Sequence, residues 1–293
     1  MLEAGLILSR FVHYVAVSAL FGIALFPLYS SPVELSGRLT SWRGRVLLTV
    51  AIVCLLTGIL WLAFTTANMS GDLRAAIDTT TLLTVMQATG FGHLWILRLA
   101  LAAVAVAMAA ANFGTEIYRN DVMLLLVAGA LLATLAGTGH TQGEEGIRAL
   151  VHVAADASHL FAAGAWLGGL IMLGFVLKNS LPGVDVVLRR FSGMGYVAVA
   201  VLLATWFLVG SVSNLTTTTY GQLLILKLCL FIGMLILAAA NRFWLVPTLI
   251  GDKRDSTPSI MRLRRNVLGE QVLGALVVLV VSILGTIEPA ISQ

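Results

Sequence analysis

Residues 152–170, HVAADASHLFAAGAWLGGL, decide how the chain is read. Two imidazoles and one carboxylate enter a segment otherwise apolar enough to cross a bilayer, a costly combination that marks function. Helical steps of about 100° per residue put His152, Asp156 and His159 on one narrow stripe, and Trp166 returns near the same line. His and Asp are donors that a borderline transition metal recognises, and neutral imidazole is the commonest such ligand. The remaining faces carry Ala162, Ala163, Gly164, Ala165, Gly168 and Gly169, small residues that let neighbouring helices approach closely. The stretch therefore predicts a central helix with a metal or proton site on one face.

Outward from this stretch the same logic repeats. Of 293 residues, 59% are hydrophobic and only 11% charged, which excludes a soluble globular domain. Eight apolar stretches predict spanning helices, roughly 6–28, 46–66, 94–114, 122–138, 150–177, 194–213, 222–246 and 267–287. The expectation is all-α: a polytopic bundle of eight transmembrane helices, one integral membrane domain over 1–293, with no soluble domain. A membrane barrel is excluded, because the runs are continuous and not short and alternating. Glu3 stands where a basic leader region belongs, so the first segment is expected to remain as a helix. Cys54 and Cys229 both fall inside spans and imply no disulfide framework.

The net charge of +4 does not indicate nucleic-acid binding. Arg38, Arg43, Arg45, Arg119, Lys178, Arg189, Arg190, Arg242, Lys253, Arg254, Arg262, Arg264 and Arg265 fall between spans on one side, and these are thirteen of the 18 Lys and Arg. The positive-inside rule makes that side cytoplasmic and places both termini outside. Arg10 is expected to snorkel to the outer interface, Lys227 to snorkel or pair with Asp156, and Glu270 to pair with an Arg of the preceding loop.

His13, His93, His140, His152 and His159 all fall in the outer half or outer loops. His13 and His159 lie at similar depth, about 10 Å into their spans. An outer site of His93, His140 and His152, helped by the soft donors Met69 or Met86, would lead inward to His13, Asp156 and His159. The long connection between spans two and three predicts short surface helices over 72–77 and 80–88. No nucleotide loop, nucleophile triad, CxxC or internal repeat is apparent, and no enzyme activity is expected.

RFVH near residue 10, FGHLW near 91, GH at 139 and the 152–170 stretch, with GQLLILKLCLFIGMLILAAANRFWLVP from 221 and EQVLGALVVLVVSILGTIEPA from 270, resemble the copper resistance protein D (CopD) family of bacterial inner-membrane proteins. The resemblance implies eight spans and a protein that brings copper ion, Cu(I) or Cu(II), from periplasm to cytoplasm. It also implies a small periplasmic copper carrier of the CopC type as partner, beside the lipid bilayer. Carried over by motif, the metal positions are His13, His140, His152 and His159, with Asp156 polar in the same motif. His93 and Met69 rest on position alone. The alternative reading is a membrane b-type haem protein with His13 and His159 as axial ligands.

Overall fold

Long apolar runs leave the backbone no partners in hydrocarbon except its own, so they fold as helices. A computed structural model describes residues 2–30, 37–111, 118–136, 146–179, 183–209, 218–251 and 257–287. Among the described residues every regular element is helical: α1 (Leu2–Ser30), α2 (Gly37–Ser70), a 3₁₀ turn (Leu73–Ala76), α3 (Thr79–Ala88), α4 (Gly90–Ala111), α5 (Tyr118–Ala133), α6 (Ile147–Lys178), α7 (Val184–Val209), α8 (Thr219–Ala240), a π turn (Asn241–Leu245), α9 (Val246–Gly251) and α10 (Thr257–Leu284).

Seven of these helices are long and apolar enough to cross a membrane. The fourth expected span, 122–138, differs: α5 has 16 helical residues, about 24 Å at 1.5 Å per residue. The physical reason stands at its carboxyl end. There Arg98 of α4 donates from Nε to Thr134 Oγ1 at 3.1 Å and from Nη2 to the Thr134 carbonyl at 2.5 Å. A cation at this end satisfies a carbonyl left without a helical partner and complements the helix dipole. At the opposite end, Arg43 of α2 meets Asp121 of α5 at 2.6 Å.

The expected surface pieces are present as the 3₁₀ turn and α3. Asp72 accepts from the Arg74 amide at 2.9 Å and so starts the turn. Asp78 accepts from the Thr81 amide at 3.0 Å and from the Thr81 hydroxyl, capping α3. Thr89 accepts from the Gly92 amide at 2.9 Å and caps α4. Gly92 must be glycine, because a Cβ there would stand 2.2 Å from the Val85 carbonyl oxygen.

The core is the seam between α1 and α6. Gly22 and Gly168 bring the two backbones into contact: a Cβ on Gly22 would lie 2.1 Å from the Gly164 carbonyl oxygen and 2.7 Å from Gly168 Cα. α2 and α5 pack against α1, α7 against α6, and α10 against α8, α6 and α1. The small residues read from the sequence therefore do seat α6 centrally, with Gly164, Gly168 and Gly169 all buried. Cys54 is buried and Cys229 exposed, and both are free thiols.

Two expectations follow. Gly22→Val should lower the thermal midpoint in detergent by a cost of about 1–3 kcal/mol or more, the usual scale of overpacking. Gly44→Ala, whose Cβ meets nothing within 4 Å, should leave the midpoint unchanged or slightly raised. The Asp78 carboxyl is held below the ordinary aspartate value, chiefly by the Thr81 hydroxyl and then by the Thr81 amide. Its cap is therefore at full strength above the ordinary aspartate pKa and fades as pH falls through the depressed folded value. Amide exchange at Thr80 and Thr81 should accelerate across that acid range, and Asp78→Ala should abolish the pH dependence.

Candidate metal site

His159, on the polar stripe of α6, is half-buried, and its Nδ1 lies 2.9 Å from Thr205 Oγ1 of α7. The Thr205 hydroxyl has one proton, and it is directed to the Val201 carbonyl at 2.8 Å. The hydroxyl is thus the acceptor, Nδ1 carries the ring proton, and Nε2 is left with its lone pair. A hydrogen-bonded second nitrogen is how proteins orient a metal-ligating imidazole. Asp156, one turn away, interacts electrostatically with Lys227 of α8, and Lys227 with His159. His152 continues the stripe and is half-buried like Asp156.

His13 is built the same way. Its Nδ1 lies 3.0 Å from Thr57 Oγ1 of α2, and Thr57 donates to the Val53 carbonyl at 2.6 Å. His13 is fully buried, and among the described residues its Nε2 has no hydrogen-bond partner. Trp61 meets the ring edge-on at 5.6 Å between centroids, and Trp95 lies at 6.4 Å. Nine residues after His13 stands Gly22, and nine after His159 stands Gly168, the pair that touches at the α1–α6 seam. The two halves of the chain therefore repeat one arrangement, His on a central helix bonded to Thr on the next. Few residues recur, which is why no repeat was expected from the sequence.

The two imidazoles differ in their charge. Three residues before His159 stands Asp156, and three before His13 stands Arg10. Arg10 does not simply snorkel: its Nη1 donates to the Gly285 carbonyl at 2.6 Å, tying the start of α1 to the end of α10. Its guanidinium lies 5.2 Å from the Trp61 ring, as does that of Arg98, which is itself 4.4 Å from Trp95. Arg10, Trp61, Thr65, Phe91 and Arg98 line a cavity of about 500 Å³. Two guanidiniums thus stand near the Trp61 ring that packs on His13, whereas Asp156 and Lys227 stand near His159.

The remaining expected ligands are dispersed. His93 is exposed, and its Nε2 lies 3.1 Å from the Gln87 carbonyl at the α3–α4 junction. Met69 is 58% exposed at the end of α2, and Met86 packs against the core beside Gly92. His140, with Glu144 and Glu145, lies outside the described residues. Among the described residues no three His, Cys, Asp or Glu side chains come together as a metal-holding group, so His13, Asp156 and His159 are not gathered as one. Thr57, Thr205 and Arg98 escaped the sequence reading; Thr bonded to the carbonyl four residues back costs little in an apolar helix. Glu270 does not pair with an Arg among the described residues: it accepts from Asn241 Nδ2 at 2.7 Å.

Comparison with known proteins agrees with these features. The family model described as copper resistance protein D-like, N-terminal domain, matches residues 1–151, and that described as copper resistance protein D matches residues 185–284. The copper resistance protein D of Pseudomonas syringae pv. tomato is 34% identical over 255 residues, 81% of each chain. The inner membrane protein YebZ of Escherichia coli K12 is 30% identical over 298 residues, covering 99% of this chain and all of that one. The copper transport protein CutJ of Bacillus subtilis 168 is 31% identical over 82% of this chain but only 46% of its own length. No solved structure matches. The chain belongs to the copper resistance protein D family and is a copper-related, multi-pass membrane protein.

Arg98 is 1% exposed and holds both α5 and the Trp95 face. Arg98→Gln should cost about 2–4 kcal/mol, from lost charge-assisted hydrogen bonds and cation–π contact. Thermal unfolding in detergent measures this, and a loss below about 0.5 kcal/mol would show that Arg98 does not anchor the end of α5.

Proposed function

We propose that this member of the family takes copper from the periplasmic side of the inner membrane and passes it towards the cytoplasm, binding it first on the α6 stripe. The observation that carries the reading is the His159 imidazole, whose Nδ1 is fixed by Thr205 so that Nε2 is free to ligate, with Asp156 one turn away. Imidazole, carboxylate and the adjacent His152 suit Cu(II) at the surface; Met69 or Met86 would assist Cu(I) at the approach. His140 and His93 belong to that approach, and a carrier of the CopC type is the natural donor. His13 is the repeat's second imidazole, with a structural role under Arg10 and Arg98.

The orientation needs α5 to serve as an eighth crossing beside the seven long apolar helices. The Arg43–Asp121 pair puts the start of α5 at the same end as the start of α2, and the Arg98 cap stops α5 below the other face. With α5 taken as an eighth crossing the two ends of the chain would share a side, and the Arg10–Gly285 hydrogen bond, which joins α1 to the residue after α10, supports that reading. The basic loops then face the cytoplasm.

Elemental analysis of detergent-purified protein, after copper loading and exhaustive dialysis, tests the reading. Copper near one equivalent with negligible iron is the expected result; stoichiometric iron would instead mean that the imidazoles hold haem. His159→Ala should abolish copper retention with near-normal expression, and Thr205→Val should weaken copper affinity about 10- to 100-fold, the usual effect of losing an outer-shell partner. Retention unchanged in both variants would remove the site.

A further inference from the structure

Two arginines enter the bundle at the end where α1 begins and α10 finishes, and fastening helix ends occupies only part of each. A guanidinium carries five N–H donors and no acceptor. Arg98 turns its Nε and Nη2 to Thr134. Arg10 donates from Nη1 to the Gly285 carbonyl, while its Nε is buried and has no hydrogen-bond partner among the described residues. Neither arginine forms an ion pair among the described residues, and the two act on one another electrostatically. Each guanidinium carbon lies 5.2 Å from the centroid of the same Trp61 ring. Two like charges are thus gathered around one ring, and an unpaired charge held away from water is costly.

Both arginines line the cavity of about 500 Å³. Its rim is open and its floor is not: Asn68 and Gly90 are exposed, whereas Trp61 is 5% and Arg98 1% exposed. Thr65 stands on the wall, one helical turn beyond Trp61 on α2, and its hydroxyl oxygen is buried without a partner among the described residues. Leu6, Phe91 and Leu94 add apolar surface. Glu3, the one acid in the lining, is exposed to solvent. Gly285 leaves room for the Arg10 fork, because a Cβ there would collide with Nη2. A few convergent polar groups on an apolar wall are the usual make-up of a small-molecule site. Cationic N–H groups and a hydroxyl call for an oxyanion, and guanidinium forks match the oxygens of a phosphate in pairs.

We propose that this cavity binds a phosphate group, carried by the headgroup of an anionic lipid or free as phosphate, beside Arg10 and Arg98. Arg10 Nε–H and the Thr65 hydroxyl, both buried and unpartnered, gain an acceptor. The apolar wall receives the carbons that a lipid headgroup brings with it. The bound anion offsets two facing cations and touches α1, α2 and α4 together, so it also stabilises the end of the bundle where they meet. The inference stands apart from the copper reading, which concerns α6.

The test uses the full chain purified in dodecyl maltoside, with the thermal midpoint as readout. The probes are dioctanoyl phosphatidylglycerol, dioctanoyl phosphatidylcholine and inorganic phosphate. A ligand that binds the folded protein raises the midpoint as it saturates. Phosphatidylglycerol should bind about tenfold or more tightly than phosphatidylcholine, whose choline cation the guanidiniums repel. A saturable response to inorganic phosphate would show that the free anion suffices, and a response to phosphatidylglycerol alone would identify the lipid; either result supports the site. Arg10→Gln should weaken binding about tenfold or more, the scale of a lost charge-assisted hydrogen bond. Arg74→Gln, at an exposed arginine outside the cavity, should leave binding unchanged. Thr65→Val keeps both guanidiniums and should also weaken binding, which covers a failure of Arg10→Gln to fold. The proposal is overturned if neither phosphatidylglycerol nor phosphate gives a saturable shift, or if both lipids bind equally while phosphate does not bind. Wild-type affinity in both Arg10→Gln and Thr65→Val, or an equal loss in Arg10→Gln and Arg74→Gln, would overturn it too.

Discussion

Gly22 and Gly168 touch where α1 crosses α6, and the bundle is arranged around that contact. Inside a bilayer no hydrophobic driving force separates helix from lipid, so association rests on close packing. A glycine pair provides it by letting main chain meet main chain, with the Gly164 carbonyl completing the contact. The contact fixes the register of two helices whose imidazoles stand nine residues before each glycine. Each ring is then turned to its own neighbour, α2 or α7, and bonded there to a threonine.

Charged residues finish what the glycines begin. Arg98 caps α5, Arg10 reaches the carbonyl past the end of α10, and Arg264 reaches the Lys178 carbonyl at 2.7 Å, joining the end of α6 to α10. In each case a guanidinium is placed at carbonyls that the helix itself cannot satisfy, and the partial negative end of the helix dipole offsets its charge. Trp61 and Trp95 cover the two outermost of these cations with their ring faces. Arginines that look misplaced in an apolar sequence are therefore the fasteners of helix ends.

The elements were largely legible because a spanning helix announces itself by length and composition. The stripe on α6, its small-residue faces and the short surface pieces at Leu73–Ala76 and Thr79–Ala88 are all properties of neighbouring residues in one chain segment. What stayed hidden depends on distant partners. Arg98 bonds Thr134 at the end of α5 from 36 residues away, and no local pattern around Thr134 carries that information. Thr57 and Thr205 look like ordinary apolar-helix threonines until a histidine from another helix is found against them. Glu270 lies within reach of an arginine-rich loop in sequence, yet the helix turns it towards Trp166 and Asn241, away from that loop.

The repeat is what separates one histidine from the other. Both rings are held at Nδ1 by the same device, so ligand geometry alone does not choose between them. The choice falls to the residue three positions earlier, which sits about one turn away on the same helical face. In the first half that residue is Arg10, and Arg98 adds a second cation from α4; in the second half it is Asp156, whose carboxylate also engages Lys227. Arg98 acts on His13 and Arg10 lies over the neighbouring Trp61 ring, whereas His159 stands near Asp156 and Lys227. Two copies of one scaffold thus carry different neighbouring charges, guanidiniums in the first half and a carboxylate with an ammonium in the second.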